Sequence, residues 1–320
     1  MTPAQKQHQL QVAIAFAMVY VLWGSTFLAI GIAVKHMPPT MMGATRFLIS
    51  GSAMLAICLF TRRSIRITME DFWKLALIGV LLLTGGNVVV GWAEKYVPTG
   101  LAALILSITP IWVAIVEAWI LRSDRLSWRG VLGLVLGTTG LLVLLWPKLH
   151  ATTALGRMQL LGCIALIFAA LSWTCGSILS RRSSLTVGPI VATGWEMAIA
   201  GTVNFLLALG LGDVHKVDWN MPAVLSITYL VIGGSLLGFT AYIWLLEHVP
   251  TAKVATYAYV NPIVAVILGA VVLHEKIDAY IVVGSAVIVA GVILVTTSKI
   301  RPGEASLPAE TQLPACEAEA

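Results

Sequence analysis

The chain has 320 residues, of which 58% are hydrophobic and 11% charged, with a formal net charge of +5. A soluble domain carries about 25% charged residues, so this composition cannot cover a water-facing surface, and the length does not mean two soluble domains. The basic residues sit in short loops between apolar runs and form no basic-aromatic patch, which excludes nucleic acid as a partner and leaves a multi-pass membrane protein.

From the amino terminus, a short segment over residues 1–9 precedes a first apolar run at about 10–34. That run is too long for the apolar core of a cleavable leader and is read as an uncleaved first span. Further runs of the roughly 20 residues that cross a bilayer fall at 40–61, 72–93, 98–121, 128–147, 158–180, 186–211, 221–246, 250–273 and 279–298. The expected fold is an all-α polytopic membrane protein of ten transmembrane helices. Residues 299–320, with Pro302, Pro308, Pro314 and four Glu, predict a disordered cytoplasmic tail. Cys58, Cys163 and Cys175 fall in apolar runs and Cys316 in the tail, a spacing that suggests neither a metal site nor a disulfide framework.

Placing the amino terminus inside puts thirteen Lys and Arg in cytoplasmic segments and six on the opposite side, with Arg46 left within a span. This bias predicts both termini in the cytoplasm, and the localisation expected is a bacterial inner membrane.

A repeat organises these spans. Trp92 to Ile115 reads WAEKYVPTGLAALILSITPIWVAI, and Trp244 to Ile267 reads WLLEHVPTAKVATYAYVNPIVAVI. Val97-Pro98-Thr99 matches Val249-Pro250-Thr251, and Pro110 matches Pro262, each eleven residues beyond the Thr. The halves, 10–147 and 158–298, hold five spans each, and an odd number makes the second half enter the membrane upside down. Charge agrees: the loop after span four carries Arg122, Arg125 and Arg129, while its counterpart His274–Tyr280 carries one Lys. Inverted repeats place substrate near the midplane, between the halves.

Trp23-Gly24-Ser25-Thr26, Arg46-Phe47, the two Val-Pro-Thr helix starts, Tyr257-Ala258-Tyr259-Val260-Asn261-Pro262 and the Glu275 turn together resemble the EamA-type drug/metabolite transporter superfamily, and within it the YedA-like inner-membrane exporters. The resemblance covers about residues 10–298. It implies ten helices in two inverted five-helix repeats and secondary transport of small metabolites, often outward, without fixing the substrate.

Arg46 and Glu196 are the charges well inside spans, at equivalent positions of the two halves. A charge at the bilayer centre costs about 2.5–3.5 kcal/mol on insertion scales, so each must face a cavity or a partner. Two readings stand: a functional one, in which Arg46 attracts an anionic group or Glu196 takes up a proton, and a structural one, in which they are tethers to backbone carbonyls or polar neighbours. A direct pair meets a depth difference of ~15 Å. The mid-helix Pro110 and Pro262 free the carbonyls of Leu106 and Ala258, which must face protein, water or ligand. Ser107, Thr109 and Trp112 flank one, and Tyr257, Tyr259 and Asn261 the other; a packing kink with hydroxyl compensation is the alternative. Trp23 and Trp173, also matched, either line the cavity or pack. Asn87 and Asn204 are further polar positions. Trp92 and Trp244 read as interface-belt residues, and Glu94, Glu117, Lys253 and Glu275 as snorkelling residues near span ends, with Glu275 capping span ten. Gly130, Gly133, Gly137 and Gly140 form a small-residue stripe on span five that suits a homodimer or a contact within the bundle.

No phosphate loop, zinc motif, nucleophile elbow or dinucleotide fingerprint is present, so neither an enzyme nor a cofactor or metal is expected. The reading is a gradient-driven carrier that exports small organic molecules by alternating access. An importer or exchanger on the same fold, and a non-transporting membrane scaffold, are the alternatives. The partners implied are a small-molecule substrate and the lipid bilayer.

Overall fold

The computed structural model describes residues 3–116, 124–125, 128–150, 153–249, 254, 257–297 and 301–302. Glu117, Arg122, Pro250, Thr251, Lys253 and Cys316 lie outside them, as does most of the tail. The described residues form ten apolar helices. Seven are long enough to cross a membrane: Gln7–Ala33, Pro39–Phe60, Met69–Ala93, Trp128–Pro147, Ala154–Arg182, Pro189–Gly210 and Met221–Leu245 (spans one to three and five to eight). Three are shorter: Thr99–Ile115, Val260–Val272 and Ala279–Val295 (spans four, nine and ten).

Matched residues start matched helices. Pro39 and Pro189 stand at the first positions of spans two and seven, where a missing N–H costs nothing and φ is already helical. Thr68 and Asn220 cap spans three and eight by accepting the amides of Asp71 and Ala223 at 3.1 and 3.0 Å. The outside of the bundle is apolar, with Phe60, Phe168, Leu206 and Val282 exposed, as a lipid-facing surface requires.

Two glycine seams join the halves. Spans two and seven pack so closely that a Cβ on Gly51 would lie 2.5 Å from the amide nitrogen of Ala198. Gly194 faces Leu55 and Gly201 faces Leu48, so each step forward on one helix is a step back on the other. Spans five and ten repeat the arrangement: Gly133 meets Gly291 and Val295, Gly140 meets Ile288, and Gly284 meets Leu144. Equivalent spans therefore run antiparallel, which is the inversion that five spans per half require. Gly133 and Gly140 of the span-five stripe are spent within the bundle on span ten, and Gly137 faces Ile111 of span four.

The two end faces are stitched by equivalent loops. At the end that holds the amino terminus (the N-face), Asp71 accepts from Thr186, and Trp195 Nε1 donates to the Ile65 carbonyl at 2.9 Å. At the opposite end (the distal face), the Asp218 amide donates to the His36 carbonyl at 2.9 Å, and Thr40 donates to Asp213 Oδ2 at 2.7 Å. Burial works against the Asp213 carboxylate, but hydrogen bonds from Lys216 and Thr40 prevail and hold its pKa below the ordinary 3.8. A carboxyl whose folded pKa is depressed stabilises the fold above its unfolded value and loses that contribution as pH falls. D213N is expected to lower the thermal midpoint modestly at neutral pH, with the gap from wild type closing as the pH falls below 3.8.

Three readings from sequence are corrected. Glu94 does not snorkel: the turn from span three to span four tucks against span six, where Gly162 meets Val97 and Ala93, and Glu94 is left 8% exposed. Glu275 caps span four, not span ten, accepting from the Thr99 amide and hydroxyl and the Gly100 amide at 2.7, 2.9 and 3.1 Å; Asp278 serves span ten through the Ile281 amide. The exposed tryptophans near span ends are Trp73, Trp128, Trp146 and Trp219, not Trp92, which packs on the core beside Tyr96.

Candidate functional site

Between the halves lies a cavity of about 890 Å³. Its deepest wall is formed by Ile30, Arg46, Asn87 and Val90, and its lining runs out to Arg181, Ser183, Leu185 and Val187 at the N-face. Among the described residues, none of the distal turns lines it. The cavity is thus open toward one end of the bundle and shut toward the other. Trp23, Arg46, Asn87, Thr109, Pro110, Trp173, Glu196, Tyr257, Asn261 and Pro262 all line it.

Spans one, eight and nine supply an aromatic wall. The Trp23 ring lies 5.2 Å from Phe239, 5.0 Å from Tyr242 and 5.3 Å from Tyr257, the last edge-on, the offset and T-shaped geometries that aromatic quadrupoles favour. Trp23 Nε1 donates to the Gly234 carbonyl at 3.1 Å. That carbonyl belongs to a π-helical stretch, Leu230–Leu237, whose widened turns leave backbone groups for side chains. Span three has its own π-helical stretch, Val80–Val88, and there Gly86 lies under Trp173, whose ring would be 3.0 Å from an added Cβ. The matched tryptophans therefore sit on matched glycine-bearing, widened helices. Phe239 and Tyr242 were not singled out from sequence; their spacing of three, which puts them on one helix face, was the available signal.

Arg46 is 3% exposed. Its Nε donates to Ser235 Oγ at 3.0 Å, its Nη1 reaches Asn87 Oδ1 at 3.5 Å, and its guanidinium lies 4.9 Å from the Phe47 ring centroid. Asn87 also donates to the Leu82 carbonyl at 3.3 Å. Glu196 makes no ion pair with Arg46. In the antiparallel register the residue facing Arg46 is Val203, seven positions beyond Glu196, or ~10 Å of helix rise. The cation stands at the closed floor, and the carboxylate stands on the wall nearer the mouth.

The two prolines behave differently. Span four breaks at Ser107–Ile108 into Thr99–Leu106 and Thr109–Ile115, and Thr109 Oγ1 donates to the freed Leu106 carbonyl at 2.7 Å. Span nine stays helical through Pro262. Beside it, Asn261, with its amide turned to suit its neighbours, donates to the carbonyls of Tyr20 at 3.2 Å and Tyr257 at 3.3 Å. Trp112 does not reach the cavity. Two residues past Pro110 it is turned by about 200° around the helix, and it packs on the core of spans three, four, five, six and ten. The side chain of Tyr259 lies outside the described residues. Asn204 is fully buried near Gly43, away from the cavity.

Comparison with known proteins agrees with this architecture. A model of the EamA-like transporter family matches residues 11–146 and again 160–297. The inner membrane transporter YedA of Escherichia coli is 32% identical over 285 residues, covering 88% of this chain and 89% of its own. The transporter YvbV of Bacillus subtilis is 24% identical, covering 89% and 91%. A protein of Salmonella typhimurium named a probable amino-acid metabolite efflux pump is 26% identical, covering 86% and 91%. A crystal structure 20% identical in sequence superposes with a TM-score of 0.63 over 89% of this chain and 97% of that one, a likeness of fold.

Proposed function

Because the chain belongs to the EamA-like transporter family, we propose that it is a gradient-driven exporter of small organic metabolites in a bacterial inner membrane, working by alternating access. The observation that carries this reading is the cavity: both halves build it, and among the described residues its lining reaches the N-face and none of the distal turns. The excess of Lys and Arg in the N-face loops supports a cytoplasmic N-face, so the cavity admits solute from the cytoplasm. YedA's description as an inner membrane transporter supports the location.

The aromatic wall gives flat, amphipathic contact surface, with a cation at its floor. Together with the amino-acid metabolite efflux named for a relative, this makes amino acids and aromatic metabolites the first solutes to test. Proteoliposomes loaded with such a panel should release at least one of them faster under an imposed pH gradient. Flux absent across the panel under every gradient would favour a scaffold, and flux only inward an importer.

Glu196 is the proton acceptor in this scheme. It is 7% exposed, lines the cavity and has neither a hydrogen bond nor an ion pair among the described residues. E196Q is expected to carry out solute exchange near the wild-type rate while losing at least about tenfold of the acceleration by a pH gradient, a difference of ~1.4 kcal/mol. Retention of the full acceleration would remove Glu196 from the coupling.

A further inference from the structure

At the distal face a second acidic site lies outside the cavity. Glu94, just past the end of span three, is 8% exposed, and neither carboxyl oxygen has a hydrogen-bond partner among the described residues. Its Oε2 faces the bare backbone of Gly31 in span one, where a Cβ would stand 3.5 Å from it. The same Gly31 is covered by the Thr99 methyl. Thr99 is the residue through which Glu275, from the turn after span nine, holds the start of span four. Spans one, three, four and nine thus close on one another here, with Glu94 enclosed. Glu275 is the ionisable group facing this junction; Lys35, Lys95, Arg157, His274 and Lys276, at the same end, are exposed to solvent.

The chemistry of the two carboxyls differs. Glu275 accepts three hydrogen bonds at the start of a helix, where donors and the helix dipole favour a carboxylate. Glu94 has no donor, and an unpaired carboxylate out of water takes a proton rather than keep its charge. Closing the distal face therefore requires a proton on Glu94, and opening it to water lets that proton leave on the same side.

We propose that Glu94 is a proton-binding site that governs the distal gate: protonated when spans one, three, four and nine are closed, ionised when they part. No proton crosses the membrane at this site. Acid on the distal side favours the closed gate and so returns the carrier to its N-face-open form after solute has left. The proposal rests on the alternating-access reading above. Its test reads gate spacing rather than flux, so the failure of one is distinguishable from the failure of the other.

The experiment places spin labels at Y96C and I277C, on the turns that carry Glu94 and Glu275, in a chain whose own four cysteines are replaced, and measures their distance in nanodiscs from pH 5 to 8.5. In the wild-type background the open-to-closed ratio should rise with pH, by up to about tenfold per unit for one linked proton. E94Q, a mimic of the protonated acid, should hold the closed distance at every pH. E275A, which removes all three acceptor contacts at the start of span four, should shift toward the open distance at every pH, so the two variants move in opposite directions and neither result can be mistaken for misfolding. A distance distribution independent of pH in the parent chain, or an E94Q variant that keeps the parent's pH dependence, would overturn the proposal.

Discussion

Replacing Arg46 with Ala is expected to cut transport about a hundredfold, ~2.7 kcal/mol, in protein that still folds. Arg46 stands at the closed floor of the cavity, 3% exposed, where a bare charge costs about 2.5–3.5 kcal/mol even on lenient scales. Its hydrogen-bond partners are neutral: Ser235 of span eight and Asn87 of span three. A guanidinium held by two neutral groups retains both charge and donors for a carboxylate or phosphate that enters from the mouth. It also ties together spans two, three and eight, two of which carry the π-helical stretches. R46K separates these roles, because it keeps the charge and loses the planar fork. If Arg46 meets an anionic solute, R46K and R46A raise KM for anionic solutes and spare neutral ones. If it is a tether, both lower kcat for every solute alike. R46A transport within threefold of wild type would exclude both.

Substitution of Gly51 is expected to have the largest effect on the fold. A Cβ there would lie 2.5 Å from the Ala198 nitrogen and 2.9 Å from the Gly194 carbonyl oxygen. Both neighbours are backbone, so no side chain can swing aside, and two helices must part along their length. Overpacking of this kind costs about 1–3 kcal/mol for small insertions; G51A should lose that much, and G51L should yield no monodisperse protein in detergent. Gly291 is the counterpart on the second seam, with a Cβ 2.5 Å from the Gly137 nitrogen, and G291L should fail in the same way. Gly188, which meets nothing within 4 Å, is the control: G188A should purify like wild type. A monodisperse, thermally unchanged G51L would mean that the seam between spans two and seven does not hold the halves together.

The sequence already carried the architecture, and the reason is specific. Charge is scarce, so apolar runs separate cleanly. The Val-Pro-Thr and proline matches then align two halves of five spans, from which inversion follows by counting. What it could not carry is the direction each residue points. A soluble helix advertises its buried face by an apolar stripe, but here lipid and core are both apolar. Trp112, two positions from a cavity-lining proline, therefore could not be assigned to the core, and the spacing of Phe239 and Tyr242 marks a shared helix face without saying that it faces the cavity. The cap made by Glu275 is not legible locally, because it reaches a helix start 176 residues away in sequence. Glu94 was misread because nearness to a span end says nothing about whether the following turn folds outward or inward.

The unequal prolines have a consequence of their own. Two halves of similar sequence, placed in one membrane upside down to each other, should have the same shape unless the molecule is caught off its axis of symmetry. Span four is broken at Ser107–Ile108, while span nine runs on through the matching Tyr259 and Val260. If each half took on the other's bend, the break would move to span nine and the opening to the other end. Under the proposed alternating access, one conformation thus holds the instructions for its opposite, written in the half that has not bent.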